Sequence, residues 1–192
     1  MSRPRYIVVL AVIFLMLHVP AAAAGQVEID TTLSGPFSLT DHNGQPVTDR
    51  DFRGRYMLVF FGYTSCPDVC PTQLQIMGRA MGLMGAAAEE VQPIFISVDP
   101  ERDAKILQDY VLHFHQRMLG LTGTAQQVAE AAQAYGAYYV KILDANNDDP
   151  QSYLINHTAY IYLLGPDGRF RAAFDPGSGA EALVAGILPY LE

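Results

Sequence analysis

Hydrophobic and polar positions alternate in blocks along this chain, and the blocks switch period repeatedly. PFSLTDHNGQPVT, residues 36–48, alternates around Asn43-Gly44 and predicts a short hairpin with that pair in its turn. RYMLVFFGY, residues 55–63, is a continuous apolar run bounded by turn residues, as expected of a strand covered on both faces. After Cys70 the period lengthens: Leu74, Met77, Met81 and Met84 recur at threes and fours and stack on one face of a helix. The methionines read as core by that spacing, not as a track for metal. VQPIFISVDP reads as the next strand. Its end, Asp99-Pro100, predicts an N-cap and a first helical residue, opening a helix that runs through AKILQDYVLHFHQRML to Gly120.

The remainder continues the alternation. TAQQVAEAAQAYG predicts a helix capped by Thr124, and AYYVKIL predicts a strand. A polar loop, DANNDDPQSY, precedes TAYIYLLGPDGRFRAAF, a hairpin turning at Asp167-Gly168. AEALVAGILPYL closes the chain as a helix. No repeat interrupts this order, which defines an α/β fold: a central mixed sheet with helices on both faces.

The first residues follow a different rule. MSRPR is basic, YIVVLAVIFLMLHV is apolar, and PAAAAG carries small residues with Ala22 and Ala24 at cleavage-site spacing. Residues 1–24 are therefore expected to be a secretory signal peptide or an uncleaved membrane anchor, since the apolar stretch nearly reaches spanning length. Residues 25–34 are expected to be a linker and 35–192 the folded domain. Export to the periplasm follows, a compartment where thiols can be oxidised. Net charge is −8 over 192 residues, and the first 24 contain arginines but no acid, so the folded part is more acidic still. No basic cluster is present to hold nucleic acid.

Chemistry concentrates in FGYTSCPDVCPTQL, which holds both cysteines, Cys66 and Cys70. Four residues advance a helix by about 6 Å and return to the same face. That spacing allows a disulfide, a redox pair or two thiolates on one metal ion. A disulfide staple is the weakest reading, because so short a loop constrains the unfolded chain very little. The start of a helix favours thiolates, Pro67 and Pro71 stiffen the turn, and Asp68 is expected to point outward between the sulfurs.

Two thiolates seldom complete a metal site. His113 and His115 diverge on a helix, and His42 beside its turn reads as a solvated loop residue. His157, in INHTAYIYLLG, stands at the start of a hydrophobic strand expected to lie beside the cysteine loop, and is the candidate third ligand. Two thiolates and one imidazole suit trigonal Cu(I); Cys2His with water also suits zinc, but a structural zinc site normally closes with four protein ligands. Asp99 is a candidate for contact behind the ligands, although capping would account for it; Arg102 and Asp103 read as helix-start charges.

FFGYTSCPDVCPTQL, FISVDPERD and NHTAYIYLLGPDGRF, in that order, resemble the SCO/SenC family of copper-binding assembly factors, over most of residues 35–191. The resemblance implies a thioredoxin-like fold with an added N-terminal hairpin. It implies one copper per chain, as Cu(I) and in some states Cu(II), on Cys66, Cys70 and His157. It further implies delivery of copper to the binuclear centre of cytochrome c oxidase subunit II, or reduction of that centre's cysteines by a redox-active Cys66–Cys70 pair. A periplasmic copper donor or thiol reductase would then be a further partner. Asn156 stands where such proteins often carry Asp, a place from which a carboxylate could orient the imidazole. The rival within the same fold is a thiol–disulfide oxidoreductase, but three residues separate the cysteines here rather than two, and no proline precedes Thr158. No substrate turnover is implied, so the chain reads as a carrier rather than an enzyme.

Overall fold

A computed structural model describes residues 35–143, 149 and 152–191. The expected signal or anchor segment and linker, and most of the polar loop before Tyr153, lie outside the described residues. No helix among the described residues is long and apolar enough to cross a membrane.

Among the described residues, seven strands form one mixed sheet. β1 (Ser38–Asp41) and β2 (Pro46–Thr48) are the N-terminal hairpin, with Gly44 at φ 81° in its turn. β3 (Tyr56–Gly62) and β4 (Val91–Ser97) run parallel at the centre, paired from Tyr56–Val91 to Gly62–Ser97. β5 (Leu119–Thr122) lies parallel on the other side of β4. Strands β6 (Tyr139–Leu143) and β7 (Tyr153–His157) pair with each other as a separate antiparallel ribbon. β8 (Ile161–Leu164) and β9 (Phe170–Phe174) close the large sheet, whose order is β2-β1-β5-β4-β3-β8-β9.

The helices are α1 (Val69–Met84), the single turn α2 (Pro100–Asp103), α3 (Leu107–Phe114), α4 (Ala125–Ala134) and α5 (Ala180–Leu191). Adjacent aromatic residues of β3 show how they divide. Phe60 stacks on Phe95, which meets Tyr110 of α3, while Phe61 meets Tyr135, at the end of α4, and Tyr162. Successive strand residues point to opposite faces, so helices cover both sides of the sheet. Leu74, Met77 and Met81 of α1 are fully buried, and Met84 nearly so, as their spacing predicts. Thr124 caps α4, its hydroxyl accepting from the Gln127 N–H.

Two expectations fail. The helix opening at Pro100 does not reach Gly120: it breaks after one turn, resumes as α3 and ends where His115 turns extended (φ −163°, ψ 138°). Leu119 to Thr122 form β5 instead, because pairing to β4 buries those apolar residues and satisfies their backbone groups together. Second, His157 does not open the hydrophobic strand. It ends β7 and is separated from β8 by residues 158–160. The neighbourhood survives nonetheless, since Ile161 at the start of β8 pairs with Phe60 near the end of β3.

Candidate metal centre

The two thiols and the imidazole meet where β3 and β4 end. β3 delivers the chain through Tyr63 and Thr64 to Cys66, and α1 begins at Val69, so Cys70 is its second residue, less deep in the helix than the four-residue advance predicts. Both cysteines are free thiols. The Cys70 N–H points at Cys66 Sγ (3.5 Å). Cys70 Sγ lies 3.2 Å from His157 Nε2, and the three ligand atoms of Cys66, Cys70 and His157 all fall within 4.8 Å of one another. A modest contraction around one ion brings all three to bonding distance.

The environment of each ligand follows from its element. His157 Nδ1 sits 3.0 Å from the Thr158 carbonyl, which can only accept, so Nδ1 donates there and the ring is held with Nε2 facing the sulfurs. The rings of Phe60 and Tyr63 stand edge-on to the imidazole at 6.0 and 5.9 Å and wall it in. Gly62 makes the sulfur's space: a Cβ there would lie 2.8 Å from Cys70 Sγ. That glycine, missed in the sequence, is legible as the one residue without a side chain at the end of a bulky strand, a sign of close approach.

The turn itself is exposed at Ser65, Pro67 and Asp68, but it tucks both cysteines inward. Cys70 is fully buried and Cys66 is 9% exposed, while His157 is half-buried. Burial makes the two thiols unequal. The Cys70 thiol donates to Cys66, and His157 and the N–H groups of Asp68 and Cys70 add to it; against burial, these hold the Cys66 pKa well below the ordinary thiol range. Cys70 is pushed the opposite way, by that same hydrogen bond and then by burial. The pair therefore releases one proton readily and the second reluctantly. A cation entering between the sulfurs removes the reason for that reluctance.

The residues expected behind the ligands are distributed differently. Asp68 is exposed, as expected, and reaches the cluster only through its backbone N–H. Asn156 is exposed on the face of β7 opposite to His157, so the structure does not bring its side chain to the sulfurs. Asp99 precedes Pro100 as the capping position, yet its side chain caps nothing. Fully buried, it accepts from Arg102 Nε and from the Tyr153 hydroxyl at 2.7 Å. Arg102 and Asp103 are not mere helix-start charges. Asp103 is fully buried and accepts from Thr64 N (2.9 Å), Thr64 Oγ1 (2.6 Å) and Ser97 Oγ (2.6 Å), with burial pushing its pKa up. His42 is more than a solvated turn residue, since its Nδ1 accepts from the Gly120 N–H at 3.0 Å. His113 and His115, in the last turn and at the C-cap of α3, do not join the Cys66–Cys70–His157 group.

Known proteins carry the same arrangement of chain. A curated relative, Protein SCO2 homolog, mitochondrial, of Mus musculus, is 44% identical over 156 residues, which are 80% of this chain and 60% of that protein. Protein SCO1 homolog, mitochondrial, of Homo sapiens is 39% identical over 162 residues, 83% of this chain and 53% of that one. The chain thus spans between half and two thirds of these relatives. Among solved structures, Bradyrhizobium japonicum ScoI with copper bound is 41% identical with a TM-score of 0.74, covering 82% of this chain and 99% of that chain. Yeast Sco1 with copper bound is 33% identical with a TM-score of 0.74, covering 83% and 88%. The family model described as SCO1/SenC matches residues 26–192, and the chain belongs to that family.

Proposed function

We propose that this protein carries one copper ion on Cys66, Cys70 and His157 and delivers it to the binuclear copper centre of cytochrome c oxidase subunit II. The observation that carries the reading is the convergence of two free thiols and one imidazole within 4.8 Å. Soft thiolates with one nitrogen favour Cu(I), and three protein ligands leave a side for an incoming donor. Relatives solved with copper bound support the choice of metal. A Sco protein with the same fold is described as belonging to a family of cytochrome c oxidase assembly proteins, which supports the destination.

Loading replaces the thiol protons with the metal. Release proceeds by ligand exchange: a donor on the acceptor displaces one ligand at a time, so no free ion forms. Residues 1–24 export the domain to the periplasm, as a cleaved signal or as an anchor, with residues 25–34 as the tether and 35–192 as the carrier. Reduced protein should retain one Cu(I) per chain against a competing chelator. Full retention by His157→Ala would remove the imidazole from the ligand set.

A second reading is favoured by the depressed Cys66 thiol beside a second sulfur. Cys66 attacks a disulfide in the acceptor, Cys70 resolves the mixed disulfide, and two electrons and two protons pass to the acceptor's cysteines while a Cys66–Cys70 bond forms. The two roles are compatible in sequence, because an oxidised pair cannot bind Cu(I).

A further inference from the structure

The single helical turn Pro100–Asp103 and the Asp99 before it touch both halves of the cluster without contributing a ligand. Toward the cysteines, Asp103 grips Thr64, two residues before Cys66, through its N–H and its hydroxyl, and is itself pinned to β4 by Ser97. Toward the histidine, Asp99 accepts the Tyr153 hydroxyl, and Arg102 lies 3.7 Å from the centre of the Tyr153 ring while donating to the Tyr153 carbonyl at 3.1 Å. Lys141, paired with Glu101 at 2.9 Å, stands over the same ring at 4.5 Å. Arg102 also faces the ring of Tyr63 at 5.7 Å, and Tyr63 is one of the two rings against His157.

The ribbon needs such a hold. Among the described residues β6 and β7 pair only with each other, and a two-stranded hairpin is marginal unless it packs on something larger. Tyr153, Ile155 and His157 share the face turned to the protein, while Ile142, Leu154 and Asn156 are exposed on the other. Tyr153 is thus the handle by which the turn holds the strand that ends in the imidazole. Two fully buried carboxylates are an expensive means of simply filling space. Placing one on each half of a divided site gives them a purpose.

We propose that Asp99, Arg102 and Asp103 are positioning residues that set the separation between the sulfur pair and the imidazole, with Tyr153 as the handle on the ribbon. This rests on the copper-carrying reading above. The two arms make different demands. Loss of the Asp99–Tyr153 arm misplaces His157 alone. Loss of Asp103 loosens the cysteine turn and acts whether or not the histidine is present.

The test is a double-mutant cycle on reduced protein, titrated with Cu(I) against a competing chelator. Tyr153→Phe keeps the ring and removes only the hydroxyl; Asp99→Asn is its partner variant. Each is expected to weaken Cu(I) binding by about tenfold, the low end for a group behind a ligand. In the His157→Ala background the same changes should alter affinity less than about twofold, since no imidazole remains to misplace. Asp103→Asn should weaken binding in both backgrounds. In metal-free protein, Tyr153→Phe should shift the His157 ring proton resonances, which report the Tyr63 and Phe60 rings without any copper. Equal losses with and without His157, or unchanged affinity and ring resonances in Tyr153→Phe, overturn the proposal. If His157→Ala alone leaves affinity unchanged, the ligand assignment has failed, and the metal-free resonances still decide the positioning role.

Discussion

The metal centre joins two regions built on opposite principles. Its sulfur half belongs to the interior: β3 is buried along nearly its whole length, Cys70 is sealed beneath Gly62, and α1 packs its methionines into the same core. Its imidazole half hangs on a two-stranded ribbon outside the main sheet, with Ile142, Leu143 and Leu154 exposed. Burial chiefly holds the first in place, at about 25 cal/mol per Å² of apolar surface removed from water, with Asp103 tying down the turn before Cys66. The second depends on a few named polar and cation–ring contacts to one helical turn. The proposed copper carrier would gain from that inequality: its sulfurs are fixed by the interior, while the nitrogen is held by contacts that can be broken singly.

The largest effects should come from the interior half. Replacing either cysteine with serine should abolish Cu(I) retention, because the soft donor is lost and one thiolate with one imidazole remains; metal analysis after gel filtration checks it. Gly62→Ala should follow. The added methyl group collides with Cys70 Sγ, an overpacking cost of about 1–3 kcal/mol, or a fall in Tm of about 2–4 °C per kcal/mol. Copper affinity should drop with it, which scanning calorimetry and chelator competition measure together. Unchanged affinity would show that the sulfur can move aside freely and that the interior half is softer than drawn here.

His157→Ala should do the reverse, lowering affinity while leaving Tm almost unaltered, since a half-buried ring at the end of a ribbon contributes little to the core. A comparable loss of Tm would erase the contrast between the halves. A pH series sharpens the sulfur side. The lowered Cys66 pKa means that its thiolate persists as pH falls below the ordinary thiol range. Iodoacetamide labelling of reduced, metal-free protein should therefore stay nearly constant from pH 8 to pH 6 and fall on Cys66 alone, where an ordinary thiol slows about tenfold per unit. Smallest of all, Leu154→Lys on the outer ribbon face should shift stability by no more than about 0.5 kcal/mol in a denaturant titration.

Where one physical cause dominates a segment, the pattern of residues told the structure. Asn43-Gly44 and Asp167-Gly168 turn their hairpins, with Gly44 and Gly168 at positive φ, and Thr124 caps its helix. The stretch after Pro100 was ambiguous because Met118, Leu119 and Leu121 satisfy a helical spacing as well as a strand run, and only pairing with β4 decides between them. Of the centre, the cysteine spacing was legible locally, and His157 was legible only as a neighbour of the strand that follows it, since it ends β7 rather than opening β8. Tyr153 was not. It follows a polar run and reads as the end of a loop, whereas it opens β7 and is held by a carboxylate 54 positions earlier. Asp99 offered a local explanation, capping, that hid the distant one. Such contacts leave no periodicity to read.

The bond from the imidazole to its neighbour's carbonyl has one further mechanical result. Thr158 is tied to Tyr138 in both directions, backbone to backbone and backbone to hydroxyl, so ring, carbonyl and the end of the ribbon form a single stiff piece. The ring cannot swivel away on its own. Ribbon end and ring therefore travel as one body, and a tilt of the ribbon changes the spacing between Nε2 and the two sulfurs.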